Sequence, residues 1–411
     1  MSHWISAAEV RSALLTRQEI ALLDLREEAQ FASAHPLFAA QLPADRIALE
    51  APVRIPRRDT LVVLYAGDTS EAENAKEQLR GLGYTEVYLL QGGLDAWRAA
   101  GFELFQDVNS YSKAFGELVE ARRHTPSLSS EEVATLIEQQ ADIAIVDARR
   151  FDEYATMSIP TGTSVPGAEL VLRVPVIAPG PETTVVVNCA GRTRSIIGAQ
   201  SLINAGLPNR VVALRNGTMG WKLAGQKLES GQRRAPDVSP KLVAEARQRA
   251  HSVAYRAGVR HITAAELAAL VSDSRRTLYL FDVRTPEEYR AGHLPAFHNA
   301  PGGQLVQETD YFAPVRGARI VLADDLGARA DMTASWLAQM AWEVYVLDSA
   351  LEDRVAGAGS HSLSPRSNQG RYKRPYEGTD ASPAAMRAYL EWEFGLVEQL
   401  ERDHSHGFFV I

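Results

Sequence analysis

Leu22-Leu23-Asp24-Leu25-Arg26, Ile145-Val146-Asp147-Ala148-Arg149 and Leu280-Phe281-Asp282-Val283-Arg284 are three copies of one pattern, an apolar run closing on Asp-x-Arg. An acidic segment with an aromatic residue follows each copy, at Phe31, Tyr154 and Tyr289. Asp24 and Asp147 lie 123 residues apart and Asp147 and Asp282 lie 135 apart, so the repeating unit has the size of a domain rather than of a solenoid repeat. The same elements recur around each copy. A helix with start signals comes first, as at Ser129-Ser130-Glu131-Glu132 or Thr263-Ala264-Ala265-Glu266. The Asp-x-Arg strand follows, then a Pro- and Gly-containing loop and a second apolar strand, at 61–65, 185–188 and 320–323. A helix and a third strand, at 87–90, 211–214 and 344–347, complete the unit. Short, almost wholly apolar strands separated by helices call for a mainly parallel sheet covered on both faces. The fold class is therefore α/β: three tandem domains over residues 1–106, 127–230 and 259–352, followed by a C-terminal helical tail over 376–411.

Cys189 is the only cysteine among 411 residues. It opens the segment Cys189-Ala190-Gly191-Arg192-Thr193-Arg194-Ser195, directly after the apolar run Val185-Val186-Val187-Asn188 and ahead of a helix expected over 196–205. In α/β sheets the functional loops sit at the carboxyl ends of the strands, where this thiol lies. Backbone N–H groups at such a strand-to-helix turn converge on an anion. A free thiol titrates at roughly 8.5, and a helix N-terminus with arginines nearby lowers that, so the segment predicts a thiolate near neutrality. A lone cysteine is commonly a small buried hydrophobe. Two arginines within five residues argue against that reading here.

Composition narrows the function classes. The chain is 45% hydrophobic and 23% charged, as in ordinary globular proteins. One cysteine excludes an internal disulfide framework and a Cys-rich zinc site. The net charge of −8 argues against a nucleic-acid surface. No run of about 18 apolar residues occurs and the amino terminus lacks the pattern of a secretory signal, so no membrane association and a cytoplasmic, reducing location are expected.

The chain resembles the rhodanese, or sulfurtransferase, family in all three copies. Asp282-Val283-Arg284-Thr285-Pro286-Glu287-Glu288-Tyr289-Arg290-Ala291-Gly292-His293-Leu294-Pro295 is similar to the family's first signature, and Gln91-Gly92-Gly93-Leu94-Asp95-Ala96-Trp97 to its closing one. Asn216-Gly217-Thr218-Met219-Gly220-Trp221 holds the closing position in the middle unit, and residues 189–194 resemble the family's six-residue active loop. The resemblance implies that Cys189 carries a persulfide between donor and acceptor. Small-molecule partners follow: a sulfur donor such as thiosulfate, favoured over mercaptopyruvate by the two arginines, and a thiophilic acceptor such as cyanide, a thiol or a protein. No cofactor and no metal are expected. Ala190, Gly191, Arg192, Thr193, Arg194 and Ser195 are read as substrate-binding, with backbone N–H groups cradling the sulfur and the two arginines drawing in the donor. Arg194 could instead bridge an acidic group. Asp147 and Arg149 read as a strand-end structural pair, because they recur in all three units, with Arg149 a candidate pocket wall. Met157-Ser158-Ile159-Pro160 departs from the signature's Gly292-His293-Leu294-Pro295, and His293 reads as structural.

Gapless alignment puts Ala66 and Asp324 at the cysteine position of the first and third units. Neither forms a persulfide, so those two domains are expected to be inactive. A non-catalytic, redox-sensing assembly is the second reading. A cysteine phosphatase is disfavoured because those enzymes place five residues between cysteine and arginine, and here Arg194 has four before it. In the tail, residues 357–375 read as a flexible linker. Ser382-Pro383 then begins a helix whose stripe of Met386, Tyr389, Leu390, Val397 and Leu400 docks on its own chain. Trp392 and Phe394 lie off that stripe and leave a wide interface or a homodimer contact open. His404-Ser405-His406 reads as polar surface.

Overall fold

A computed structural model describes residues 3–348, 355–357 and 370–411. The last four residues expected for the third domain, 349–352, and the 358–369 portion of the expected linker lie outside the described residues. Three sheets follow one another along the chain. The middle one runs Ser127–Leu128, Val211–Leu214, Thr184–Asn188, Ile143–Asp147, Thr163–Ser164, with every pairing parallel. The third repeats that order with Arg260–Ile262, Glu343–Leu347, Arg319–Ala323, Leu278–Asp282 and His298–Asn299, again all parallel. The first has the same plan, Trp4–Ile5, Val87–Leu90, Leu61–Tyr65, Ile20–Asp24 and Ala40–Gln41. It gains one antiparallel strand, Val315–Arg316, donated by the third unit and paired with Ile20 and Ala21. Sequence periodicity gives no sign of that exchange, since two residues carry no pattern.

Both faces of each sheet are covered, as the apolar strands require. Val185 and Val187 pack with Leu170, Leu202 and Ala250 on one side. Val186 packs with Val133, Leu214 and Trp221 on the other. Helices begin where capping boxes place them, at Ser6 with Glu9, Ser129 with Glu132 and Thr263 with Glu266.

The Asp-x-Arg strands end on the aspartate, two residues earlier than the pattern suggested. Asp24, Asp147 and Asp282 are buried, and each accepts the backbone N–H two residues on, from Arg26, Arg149 and Arg284, at 3.0–3.1 Å. That turn ends strand pairing. Each arginine then folds back on its own aspartate, with Nη2–Oδ2 distances of 2.6, 2.7 and 2.6 Å, and reaches a carbonyl eight residues further, at Ala34, Met157 and Gly292. Removing one partner of such a buried pair strands the other charge, so the motif holds the turn rigid in all three units.

The helix after Cys189 starts at Thr193 and runs to Asn204, three residues earlier than expected, leaving a loop of only Cys189 to Arg192. The tail forms two helices rather than one, Pro383–Phe394, capped by Ser382, and Leu396–Asp403, separated at Gly395. It docks on its own chain: Leu396 and Leu400 enter the core, and Asp403 pairs with Arg11 at 2.8 Å.

Candidate functional site

Cys189 follows the last residue of the strand Thr184–Asn188, and Ala66 and Asp324 follow Leu61–Tyr65 and Arg319–Ala323 in the same way. The register agrees, with Asp147 opposite Asn188, Asp24 opposite Tyr65 and Asp282 opposite Ala323. The three residues therefore occupy one position of the fold. The closing helix Gly217–Leu223 fixes the middle loop from above. Thr218 N–H donates to the Cys189 carbonyl at 2.9 Å and Met219 N–H to that of Ala190 at 3.0 Å. Gly217 has φ +54°, and a Cβ there would lie 2.3 Å from the Cys189 carbonyl oxygen, so only glycine allows the approach. Cys189 Sγ lies 3.5 Å from Ser195 Oγ at the amino end of the helix, and Ser195 Oγ donates to the Arg192 carbonyl at 2.8 Å.

Both arginines are claimed by glutamates. Arg192 is 4% exposed and grips Glu117 through Nε and Nη2, both at 2.8 Å; its Nη2 also meets Glu120, and Phe394 covers the guanidinium at 4.1 Å. Arg194 forms a two-pronged pair with Glu153 at 2.7 and 2.9 Å. Burial would push the Glu153 carboxyl up, yet Arg194, with Arg149 and Arg150, holds it down at about 2. Arg149 commits Nε and Nη2 to Asp147 and the Met157 carbonyl, in the same way as its counterparts in the other two units. Arg192 and Arg149 thus act on the loop's frame. Arg194 stays close enough to stabilise the thiolate.

The expectation of a depressed thiol pKa does not hold in this structure. Cys189 is 1% exposed, and burial pushes its thiol above the ordinary range, outweighing the pull of Arg194 and the Ser195 hydrogen bonds; Glu393 pushes it further the same way. A cap that sequence reasoning did not place packs on the loop beside the thiol. Tyr376 and the Met386, Tyr389 and Leu390 face of the helix Pro383–Phe394 pack on Ala190 and Met219 of the site. A Cβ on Gly191 would stand 2.9 Å from Met219 Cε, 3.2 Å from Glu393 Oε2 and 3.7 Å from Tyr389 Cε1, so the cap rests directly on the loop. Lys113 holds it from beneath, its ammonium 5.7, 5.1 and 5.4 Å from the Tyr376, Tyr389 and Trp392 rings. Trp392 and Phe394 thus engage their own chain. Glu393 is 2% exposed; Tyr389 Oη–H donates to its Oε1 at 3.2 Å, and its Oε2 has no hydrogen-bond partner among the described residues. Burial, then Glu117, pushes its carboxyl up to about 8 against the pull of Lys113 and Arg192. The stripe Met386, Tyr389, Leu390 foretold a docking face, but nothing in it pointed to the cysteine loop.

In the third unit a carboxylate fills the corresponding place. Asp324 accepts the N–H of Leu326 at 3.2 Å and of Arg329 at 2.9 Å, and meets the Arg329 guanidinium at 3.3 Å. Burial pushes this carboxyl up to about 6 despite Arg329.

A family model for the rhodanese-like domain matches residues 6–100, 129–224 and 263–354, and the chain belongs to the rhodanese family. Its structure superposes on a thiosulfate sulfurtransferase from Pseudomonas aeruginosa with a TM-score of 0.96 and 47% identity, covering 100% of both chains. Other relatives match over shorter stretches. Thiosulfate sulfurtransferase GlpE of Pseudomonas putida is 36% identical over 93 residues, 21% of this chain and 76% of its own length. The uncharacterized protein slr1261 of Synechocystis sp. is 30% identical over 105 residues, 25% of this chain and 57% of its own length. Among the described residues no helix is long and apolar enough to cross a membrane.

Proposed function

We propose that this protein is a thiosulfate sulfurtransferase in which the middle domain alone turns over, the first and third domains being inactive at Ala66 and Asp324. One observation carries the reading: in the third domain the same loop already holds an anion, the Asp324 carboxylate, on the amides of Leu326 and Arg329. The corresponding amides of the middle loop belong to Gly191 and Arg194, at the same distances along the chain from the central strand. There the chain supplies a thiol instead of a carboxylate, and the cradle is left for a sulfur anion.

The Cys189 thiolate attacks the outer sulfur of thiosulfate. A new S–S bond forms, the old one breaks, and its electron pair leaves with sulfite. The persulfide anion rests on the backbone amides of Ala190 to Ser195, with Arg194 the nearest cation and Thr193 and Ser195 at the helix mouth. Cyanide or a thiol, free or on a protein, then attacks the outer sulfur and returns the thiolate. Neither half-reaction needs an acid, a cofactor or a metal. Arg192 and Arg149 shape the loop without touching the donor. Because Cys189 is buried and Tyr389 and Glu393 rest on the neighbouring Gly191, the donor enters when the cap helix lifts, which also returns the thiol to water and lowers its pKa. A reducing, cytoplasmic setting suits an enzyme that depends on one free thiol.

The redox-sensor reading is less well supported, since sensor thiols are accessible and of low pKa. The phosphatase reading needs an arginine folded over the loop, and Arg194 is engaged with Glu153. Intact-mass spectrometry after thiosulfate treatment tests the proposal. A gain of one sulfur, about 32 Da, on wild type and none on Cys189→Ser is expected; an unchanged wild-type mass after prolonged treatment overturns it.

A further inference from the structure

The helix Val243–Arg256 connects the middle and third domains and packs along the helix Ala328–Gln339, with Ala246, Ala250 and Val253 against Ala328 and Met332. At the exposed end of this contact three potential ligands converge from three elements. His251 comes from the connecting helix, His261 from the edge strand Arg260–Ile262 and Asp331 from the helix after the Asp324 loop. One ligand atom from each can be chosen so that all three lie within 4.8 Å of one another, the sole such group of three among the described residues. His261 Nε2 is 2.7 Å from Asp331 Oδ1 and His251 Nδ1 is 3.6 Å from Oδ2, with the two imidazoles edge to face at 4.6 Å.

These spacings approach a metal's requirements. Donors on a tetrahedral zinc ion at metal–donor distances of about 2.0–2.2 Å stand roughly 3.3 Å apart, so small side-chain shifts bring all three onto one ion. Two imidazole nitrogens with one carboxylate select a borderline cation such as zinc over magnesium or calcium, which favour oxygen donors. Asp331 is anchored, its side chain only 2% exposed, while His251 is 56% exposed and opens the cluster to solvent.

We propose that His251, His261 and Asp331 form a zinc-type divalent cation site that clamps the connecting helix to the third domain. The cluster is not legible in the sequence, because the three residues stand 10 and 70 positions apart and no two make a recognisable ligand motif. The clamp lies next to the inactive loop: Arg247, on the same connecting helix, donates from Nε to the Leu326 carbonyl at 2.9 Å.

Calorimetric titration of the full chain with zinc chloride tests this, in a Cys189→Ser background that removes the competing thiol. One equivalent binding with a micromolar dissociation constant is expected. His251→Ala and His261→Ala, both at partly exposed positions, should each weaken it at least tenfold without altering the circular dichroism spectrum. Asp331→Asn, which keeps the buried volume, should do the same. Absence of binding at 100 μM zinc, or an affinity unchanged in both histidine variants, would overturn the site; the second result would move any bound ion elsewhere, for instance to His404 and His406.

Discussion

The middle and third domains share one sheet order, one strand-end ion pair and one helix after the central strand, yet they treat the same anion cradle in opposite ways. In the third, Asp324 turns its own carboxylate onto the amides of Leu326 and Arg329, and Arg329 is held by Glu169, Glu288 and the two aspartates of the loop. In the middle, a thiol follows the strand, and among the described residues Arg194 keeps only the Glu153 bridge, the counterpart of Arg329 with Glu288. In the third domain the backbone turn holds a carboxylate, and the proposed function extends that cradle to the middle domain. The side chain that opens the loop decides whether the anion comes from the chain or from a substrate.

The largest effect expected is from Cys189→Ser, which should reduce thiocyanate formation from thiosulfate and cyanide to below about one-thousandth of wild type. Substantial residual turnover would mean that another domain works. A sharper test exchanges the two loops' opening residues. Cys189→Asp should fold normally and lose thiosulfate binding, because the loop then carries its own anion. Asp324→Cys in the Cys189→Ser background should recover less than about 1% of activity, since Asp325 remains beside the loop, paired with Arg284 and Arg329. Full recovery would show that the cysteine alone separates the two domains.

The arginines should divide by role. Arg192→Ala strands the buried Glu117 carboxylate and should destabilise the protein by about 3–5 kcal/mol in denaturant unfolding. Arg194→Ala should leave folding nearly intact and raise the KM for thiosulfate several-fold while slowing Cys189 alkylation at neutral pH. Equal effects in both assays would cancel the distinction.

The cap gives the smaller effects. Tyr389→Ala should speed iodoacetamide labelling of Cys189 by roughly tenfold, by removing part of its cover. Glu393 adds a pH dependence with a definite sign. Docked, its carboxyl is held up at about 8, whereas in water it titrates near 4.3, so protonation favours the docked cap. That contribution is complete below about pH 4 and declines as pH rises toward 8. Glu393→Gln removes this component, so the ratio of variant to wild-type labelling rates should fall as pH rises from 5 to 8. A constant ratio would take Glu393 out of the cap's equilibrium.

Much of this was legible in the chain because it repeats. The third strand of each unit was legible nearly to the residue, as at Val87–Leu90 and Val211–Leu214, since four consecutive apolar residues between turn signals leave little choice in a doubly covered sheet. Strand ends were less legible, because the stop at Asp147 depends on a carboxylate capturing its own backbone. Cys189 stood out through its neighbours, yet those neighbours misled about its ionisation. Local sequence can count arginines but cannot say whether Glu117 and Glu153, 75 and 41 residues away, will claim them.

The sequence by itself determined three α/β repeats, a single thiol at the carboxyl end of the middle sheet and the absence of a thiol at the two equivalent positions. These follow from local alternation, turn chemistry and residue identity. Tertiary structure alone decided that the tail helix closes over that thiol, that burial raises its pKa, and that the arginines brace the loop. Desolvation and long-range ion pairing depend on which distant segments meet, and no local pattern encodes that meeting.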